Sequence, residues 1–222
     1  MTKMMNNGDG ISQFGELEHY CREVSSSVSR FYIDEDIGEP KYYRPLIQAL
    51  LSAGEDDVIE IWINSAGGQI NTTESITSAM SMCEGRVIAI INGSAYSAAS
   101  IIALSAQELV VLPTASMMCH EAQYGTSGKG SDIRGYADFT EKKLDVLMEN
   151  AYEGFLTTQE LTALKNGKEF WFLADEIVSR LNDREAHYAN KLKKQEKLAK
   201  KEMKKLKKLK KMIDFDVVEE VE

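Results

Sequence analysis

The middle of the chain alternates between two patterns of apolar residues. Short, nearly continuous runs rich in Val and Ile are typical of buried β-strands, and the segments between them repeat their apolar residues with helical spacing. A strand–helix–strand order at this spacing is typical of βαβ units, in which crossover helices cover a parallel sheet. We therefore predict an α/β fold with strands at residues 31–33, 58–63, 87–91, 109–113 and 116–119.

The predicted helices differ in how much of their surface is apolar. Residues 97–105 are small and apolar and predict a tightly packed helix, whereas the helix that begins near Asn71 has a one-sided apolar stripe ending at Cys83. After a glycine-rich loop at 125–130, the pattern predicts a long helix at 132–152. The remaining predicted helices are at 46–51, from a cap at Thr158 to Asn166-Gly167, and at 174–181.

The last part of the chain differs in composition from the rest. Residues 188–213 are dominated by Lys, and four apolar residues recur there every seven positions: Leu192, Ala199, Leu206 and Ile213. This pattern is typical of either a weak heptad or a highly charged, solvated helix. We predict three regions, a mobile N-terminal segment at 1–28, one folded domain at 29–183 and a Lys-rich extension at 184–222 with an acidic tip.

The net charge of −9 hides an uneven distribution. Residues 184–222 hold 13 basic and 8 acidic side chains, a net +5, whereas residues 1–183 hold 13 basic and 27 acidic ones, a net −14. A basic extension attracts nucleic acid electrostatically, but this one has almost no aromatic residues for base stacking. The composition therefore favours a solvated or self-associating helix over nucleic-acid binding.

The sequence shows no feature typical of a membrane protein or of a disulfide-stabilised one. No apolar run approaches the roughly 20 residues of a membrane-spanning helix, and the polar N-terminal segment lacks the pattern of a signal peptide. Cys21, Cys83 and Cys119 are odd in number and have no CxxC spacing. We therefore expect no membrane partner, no disulfide framework and a reducing, cytoplasmic location.

Three short segments, each at the end of a predicted strand, carry residues suited to acyl transfer. In the first, Gly67 and Gly68 follow a buried strand. Paired glycines let backbone N–H groups point into a cavity without side-chain obstruction, as an oxyanion hole requires. The pair is also typical of a plain strand-to-helix turn, and the two interpretations are compatible. The other two segments are residues 93–100 and 117–120.

Ser97 is the candidate nucleophile, because it lies where a strand is predicted to lead into a helix. A serine hydroxyl is an effective nucleophile only when a base takes its proton, and a helix N-terminus stabilises developing negative charge. The small neighbours Ala95 and Ala98 leave room for a peptide. A helix cap or a packing residue is the alternative role for Ser97, and Ser94 and Ser100 compete for the nucleophile assignment.

His120 is the candidate general base. The chain has three histidines, and His19 and His187 fall in the polar N-terminal segment and the charged extension. Histidine is the side chain whose pKa best suits proton transfer near neutral pH, and a structural, half-buried histidine is the alternative. No second histidine or cysteine lies at ligand spacing from His120, so we expect no metal and no cofactor.

A third group should orient the imidazole of His120. The residues alone leave four carboxylates open, each of which could equally be a surface charge. Buried aromatic surface beside one of them, Glu169, is indicated by Trp171 and Phe172. The four candidates are Asp132, Asp138, Glu169 and Asp175.

Together these segments resemble the ClpP family, the proteolytic subunits of the ATP-dependent Clp protease. The likeness runs from about residue 31 to residue 181. Residues 63–68 resemble the family's INSPGG turn, with Ala66 in the place of proline. Residues 93–98 resemble its G-x-A-A-S-M nucleophile segment, with Tyr96 and Ala98 as departures, and residues 117–120 resemble the strand that carries the catalytic histidine.

The resemblance also implies roles for single residues. Residues 169–178 align without gaps to the family segment that begins with the catalytic aspartate, which places Glu169 at the acid position. Glutamate keeps the charge and adds a methylene. The implied enzyme is a serine endopeptidase with a triad of Ser97, His120 and Glu169. Its implied oxyanion donors are the amide of Gly68, assisted by Gly67, and the amide of Ala98.

At the level of the whole molecule, the resemblance implies a ClpP/crotonase-like fold with repeated βαβ units, a helical handle at 132–167 and a charged C-terminal helical extension. It implies polypeptide substrates and a ring-shaped homo-oligomer, a heptamer or a double heptamer. The sequence has no G-x-x-x-x-G-K-[ST] loop, so any ATP requirement would belong to an AAA+ unfoldase partner.

The N-terminal segment and the Lys-rich extension depart from the family pattern and leave the unfoldase partner open. Divergent ClpP-like peptidases occur in bacteriophages, some as capsid-maturation proteases, so the expected location is the cytoplasm of a bacterial cell or a phage-infected host. Two alternatives keep the fold. One is a non-catalytic ring subunit, and the other is a crotonase-type acyl-CoA enzyme, which would use carboxylates and a CoA site instead of Ser97 and His120.

Overall fold

The computed structural model describes residues 26–216, with the side chains of residues 26–207. The predicted mobile segment at 1–28 therefore lies outside the described residues, except for its last three. The last two of these belong to the fold. The N–H and the hydroxyl of Ser27 both donate to Asp57 Oδ1 at 2.8 Å, and Val28 begins the first strand.

Six strands form one sheet in the described part of the chain. The strand order is β1-β2-β3-β5-β6, and β4 also pairs with β3. All pairings are parallel except that of β5 with β6, which is antiparallel. The α/β prediction is confirmed, and all five predicted strands are present. The strands are β1 Val28–Ile33, β2 Val58–Ser65, β3 Arg86–Tyr96, β4 Glu108–Val111, β5 Ser116–Cys119 and β6 Phe170–Leu173.

Two differences from the predicted strands bear on the site. Strand β3 continues five residues beyond the predicted end at Ile91, and the first four of them, residues 92–95, are small or polar with little strand preference. Pairing of Ser94–Tyr96 with β5 holds this extension in place. Strand β6 was not predicted, because four residues are too few to show a period; it forms by pairing with β5.

The helices agree with the predictions in number and place up to residue 173. A 3-10 turn at Pro40–Tyr43 precedes the first of them. The short helix α5 is capped by Thr157 and not by Thr158: the Thr157 hydroxyl accepts from the N–H of Glu160, whose carboxylate accepts from the N–H of Thr157. The helices are α1 Arg44–Ser52, α2 Ile70–Met82, α3 Ala98–Ser105, α4 Gly130–Tyr152, α5 Thr158–Lys165 and α6 Ala174–Asp216.

Helix α6 corrects the predicted small helix at 174–181, because it runs without a break for 43 residues. Arg184 explains why it does not end at residue 181: its guanidinium donates to the carbonyls of Leu104 and Ala151 near the C-terminal ends of α3 and α4. Such carbonyls lack intrahelical partners. The predicted boundary between residues 183 and 184 therefore falls inside one helix. From residue 189 to residue 207 its side chains are exposed.

The core lies between the sheet and helices α1, α2, α3 and α4. In β2 alternate residues are buried, so that one face meets the core and the other carries the ion pair of Glu60 with Arg30, 2.6 Å apart. In β3, residues 87–91 are buried on both faces. Every residue of α3 from Ala98 to Leu104 is buried, which confirms a tightly packed helix. Within residues 26–216, no helix is long and apolar enough to cross a membrane.

Arg180 fastens α6 to the rest of the fold. Its guanidinium binds the carboxylate of Glu160 through two hydrogen bonds of 2.8 and 3.0 Å and lies 4.4 Å from the ring centroid of Phe172. Its hydrogen bonds to Glu160, followed by those from the N–H and hydroxyl of Thr157, hold the pKa of the Glu160 carboxyl at about 2, against an ordinary value of 4.5. The carboxylate form of Glu160 therefore stabilises the fold.

Replacing Glu160 should make the stability less dependent on acid pH. A lowered pKa contributes stability above pH 4.5 that is lost as the pH falls towards 2. Glu160→Gln should reduce the free energy of unfolding by roughly 2 kcal/mol at neutral pH and by much less near pH 2. Urea denaturation at several pH values measures this.

Glu176→Gln is the matched control, because Glu176 is an exposed partner of Arg180 at 3.2 Å. An exposed pair contributes about 0 to 1 kcal/mol, so this variant should stay close to the wild type. An equal loss for Glu160→Gln at neutral and at acid pH would contradict the role of the Glu160 charge.

Candidate active site

Ser97 lies at the junction of β3 and α3 in a strained backbone conformation. Its φ of 55° and ψ of −123° make it the one non-glycine residue with positive φ in the described part of the chain. Its N–H donates to the carbonyl of Met118 at 2.8 Å, so the parallel pairing of β3 with β5 continues to this residue. Such a conformation costs on the order of 1 to 3 kcal/mol and is concentrated at functional sites.

His120 follows β5 by one residue and reaches Ser97. Because Ser97 is bonded to Met118, His120 lies two residues further along the adjacent strand. The distance from His120 Nε2 to Ser97 Oγ is 2.6 Å, and both residues are half-buried. With the ring proton on Nδ1, Nε2 accepts the hydroxyl hydrogen, which is the contact between a nucleophile and its general base.

The structure separates Ser97 from the two serines that compete with it in the sequence. Ser100 is fully buried within α3, and its hydroxyl donates back to the carbonyl of Ser97 at 2.7 Å. Ser94 lies in β3, where its N–H donates to Asn64 Oδ1. Among the described residues, Ser97 is the serine that contacts His120.

The glycine turn after β2 packs directly on the Ser97 junction. Gly67 and Gly68 have φ of 104° and 147°, a region that favours glycine. A Cβ added at Gly67 would lie 2.7 Å from the carbonyl oxygen of Tyr96 and 2.8 Å from Ser97 Cβ. A Cβ at Gly68 would overlap the backbone of Ile37, whose N–H donates to Gly67 O. The turn therefore requires both glycines.

Two backbone amides near Ser97 are free to bind a ligand. Across residues 26–216, no hydrogen bond uses the N–H of Gly68 or that of Ala98. Ala98 is the first residue of α3, and its nitrogen lies 3.0 Å from the point where a Cβ of Gly67 would stand. The N-terminus of a helix favours negative charge, so this corner of the site suits an oxyanion.

Glu169 lies next to His120 along the sheet but is not bonded to it. The antiparallel ladder of β5 and β6 ends with the pair Cys119 and Phe170, and the next pair in the same register is His120 and Glu169. Glu169 is exposed, and its carboxylate accepts a hydrogen bond of 3.3 Å from Trp171 Nε1. Within the described residues, no hydrogen bond joins Glu169 to His120.

The other three candidate acids lie on exposed helical positions. Asp132 and Asp138 belong to α4, and Asp175 to the first turn of α6. Asp132 accepts from the hydroxyl of Ser131 at 3.1 Å. None of the three is hydrogen-bonded to His120 in the part of the chain that the structure describes. Of the four carboxylates, the strand register favours Glu169.

Comparison with known proteins identifies the family. Residues 32–180 match the family model described as Clp protease. The chain belongs to the Clp protease family. This confirms both the resemblance found in the sequence and the fold that it implied, and it supports a ClpP-like peptidase.

Three bacterial relatives carry the name ATP-dependent Clp protease proteolytic subunit. Subunit 2 of Pseudomonas aeruginosa is 25% identical over 174 residues, 77% of this chain and 86% of the relative. Subunit 3 of Rhizobium etli is 28% identical over 138 residues, 59% and 71% of the two chains. Subunit 3 of Streptomyces avermitilis is 30% identical over 146 residues, 63% and 64% of the two chains.

Two residues that support this candidate site are given no such role by the sequence prediction. Ser65 is buried, accepts from the N–H of Gly67 at 3.1 Å and donates to the carbonyl of Glu35 at 2.7 Å. The sequence could have indicated this burial, because Ser65 follows Ile61 and Ile63 at the two-residue spacing of the apolar face of β2. Tyr96 contacts Ser116 Oγ through its hydroxyl and stacks edge-on against Trp171. The hydroxyl contact with Ser116, followed by that with Ser94, lowers the pKa of Tyr96.

Alanine at Gly67 should damage the candidate site through its Cβ alone. The Cβ would enter the space of Tyr96 and Ser97 at a φ that alanine rarely adopts. We expect Gly67→Ala to lower the free energy of unfolding by about 2 to 4 kcal/mol, measured by urea denaturation.

Gly125→Ala is the control, because a Cβ at this exposed glycine would meet nothing within 4 Å. It should change the stability by less than about 0.5 kcal/mol. A Gly67→Ala variant as stable as this control would show that the turn does not pack on Ser97 as described.

Proposed function

We propose that this Clp protease family member is a serine endopeptidase in which Ser97, His120 and Glu169 form the triad. The observation that carries the proposal is the 2.6 Å contact between His120 Nε2 and Ser97 Oγ at a strained strand-to-helix junction. It lies inside the region matched by the family model. The relatives are named proteolytic subunits, which supports polypeptide substrates.

The reaction follows from this contact. Ser97 Oγ attacks the carbonyl carbon of the scissile peptide while His120 Nε2 takes its proton. The C–N bond then breaks, the proton passes from His120 to the leaving amine, and the acyl group stays on Ser97. Water attacks this ester with His120 again as the base, and release of the new carboxyl group restores the Ser97 hydroxyl.

The oxyanion that forms during each attack needs hydrogen-bond donors on the far side from His120. We assign this role to the amides of Gly68 and Ala98. The predicted assistance from the Gly67 amide is not retained, because that N–H donates to Ser65 Oγ at 3.1 Å. Both amides are unused in the described structure, and the α3 N-terminus adds a favourable field. Preorganised donors of this kind are usually the largest single contribution to acyl-transfer catalysis.

Glu169 is assigned to orient the imidazole of His120 and to stabilise its protonated form. Its support is the register of β5 with β6, which makes Glu169 the cross-strand neighbour of His120. The glutamate side chain is one methylene longer than aspartate. In the proposed active arrangement, the Glu169 carboxylate leaves Trp171 Nε1 and accepts from His120 Nδ1.

The proposal extends to assembly. The relatives are named subunits, and the first half of α4 exposes three large apolar side chains that an interface would bury. We propose a homo-oligomeric ring, with residues 29–183 as the protease region and residues 132–167 as its handle. Cooperation with an AAA+ unfoldase and a cytoplasmic location belong to the same proposal. The exposed residues are Ile133, Tyr136 and Phe139.

A fluorophosphonate probe tests the nucleophile and the base. The wild-type protein, in the oligomeric state established by sedimentation, should take up one label per chain at Ser97, identified by mass spectrometry. Ser97→Ala should take up none, and His120→Ala should react at least about a thousandfold more slowly, because the hydroxyl loses its base.

His187→Ala is the matched control for the base, because His187 is an exposed histidine on α6 paired with Glu153. It should label at the wild-type rate. An assembled wild-type protein that takes up no label would contradict the peptidase proposal and favour a non-catalytic subunit. Acyl-CoA binding in calorimetry, unchanged by Ser97→Ala, would favour a crotonase-type enzyme.

Glu169 is tested by peptide hydrolysis. Glu169→Ala should lower kcat by about a hundredfold to ten-thousandfold, less than loss of Ser97 or His120, because the base remains but is poorly oriented. Asp175→Ala removes a nearby exposed carboxylate on α6 and should leave kcat within about twofold. Full activity of Glu169→Ala in a single-turnover assay would show that another group is the acid.

A further inference from the structure

A small polar cluster lies buried directly beneath Ser97. Its members are Ser100 of α3, Cys119 of β5 and Tyr152 at the end of α4, and each of them is 0% exposed. The surrounding core is apolar, so buried polar groups here are retained only if they are hydrogen-bonded. None of the three takes part in the proposed reaction.

The hydrogen bonds of this cluster run in one direction. The single hydroxyl hydrogen of Ser100 is donated to the carbonyl of Ser97 at 2.7 Å. The 2.8 Å contact between Ser100 Oγ and Tyr152 OH must therefore have Tyr152 as its donor. The thiol of Cys119 makes a second, weaker contact with Ser100 Oγ at 4.0 Å. The chain of donors begins at Tyr152 and ends at the backbone of Ser97.

The Tyr152 hydroxyl and the Cys119 thiol stay protonated. Burial raises the pKa of the Tyr152 hydroxyl well above its ordinary value and the pKa of the Cys119 thiol to about 12. Both groups are therefore neutral donors over the range in which a histidine base operates. Cys119 is a structural thiol and not a second nucleophile.

The cluster touches the chain next to both reacting residues. Ser100 holds the carbonyl of Ser97 through its hydroxyl and, at 3.0 Å, through its N–H. That carbonyl belongs to the residue with φ of 55°, so holding it restrains the strained conformation. Cys119 immediately precedes His120. The contact with Tyr152 joins this arrangement to α4, 52 residues further along the chain.

We propose that Tyr152 and Ser100 are positioning residues, which hold Ser97 in the conformation that presents its hydroxyl to His120. The proposal rests on the proposed serine-peptidase function. Ser100 alone would be an ordinary serine bonded back within its helix, a common pattern with no functional meaning. The second bond, from a fully buried tyrosine on another helix, makes the position of the Ser97 carbonyl depend on α4.

The test compares hydroxyl-deletion variants in the full-length, assembled protein. Tyr152→Phe, Ser100→Ala and the double variant are treated with the fluorophosphonate probe, and the rate constant and the final labelled fraction are measured separately. Peptide hydrolysis gives kcat and KM. Tyr188→Phe is the matched control, since the Tyr188 hydroxyl also donates to a carbonyl at the end of α4, that of Glu153 at 3.5 Å, and does not contact the cluster.

We expect each single variant to label about tenfold more slowly, to the same final fraction as the wild type. The loss should appear in kcat with KM unchanged, because substrate contacts are intact. The double variant should lose little more than either single one, because the two hydroxyls act in series. Tyr188→Phe should react within about twofold of the wild type.

Two results would overturn the proposal and leave the serine-peptidase function standing. One is wild-type rates in Tyr152→Phe and Ser100→Ala. The other is loss of assembly or of the final labelled fraction with an unchanged rate constant, which would assign the cluster to folding alone. A wild-type protein that does not label would overturn the proposed function and this inference together.

Discussion

The site depends on the way that β3 changes partners along its length. Residues 88–91 pair with β4, and Ser94–Tyr96 pair with β5. The N–H of Ser97 adds one more bond to β5, at Met118. Since residues on parallel strands advance together, this pairing fixes how far His120 stands from Ser97. A slip of one residue would turn the histidine to the other face of the sheet.

The strain at Ser97 is opposed by packing on two sides. The glycine turn lies against the Ser97 backbone from β2, and its own position is held by Ile37 and Ser65. Helix α3, buried from Ala98 to Leu104, anchors the far side of the junction. A single left-handed residue costs on the order of 1 to 3 kcal/mol, which is small beside the burial of a whole helix. The surroundings therefore determine this conformation.

The parts of the fold with strong local patterns could be predicted from the sequence. The Val- and Ile-rich runs at 58–63 and 87–91 form strands that are buried on one face and on both faces respectively. Predicting them needs no knowledge of their partner strands. The end of β3 and all of β6 could not be predicted, because small or few residues form strand there only through pairing with β5.

The candidate site also contains residues that the sequence predicts and residues that it does not. Ser97 stands at the start of a recognisable helix and His120 at the end of a recognisable strand, so the sequence predicts both and the structure brings them together. Glu169 stands beside an unpredicted strand, and the position of its carboxylate depends on a contact with Trp171 that has no sequence pattern. Tyr152 is equally hidden, because a buried tyrosine at a helix end looks like any core residue until its hydroxyl partner is known.

Helix α6 is a long, continuous helix with no flexible loop between it and the sheet. The chain passes from Leu173 of β6 to Ala174 of α6 without a loop, and Arg180 and Arg184 tie the first turns to the body. At about 1.5 Å per residue, the part after Tyr188 measures roughly 40 Å. The described end of the helix is therefore held well away from the body of the fold.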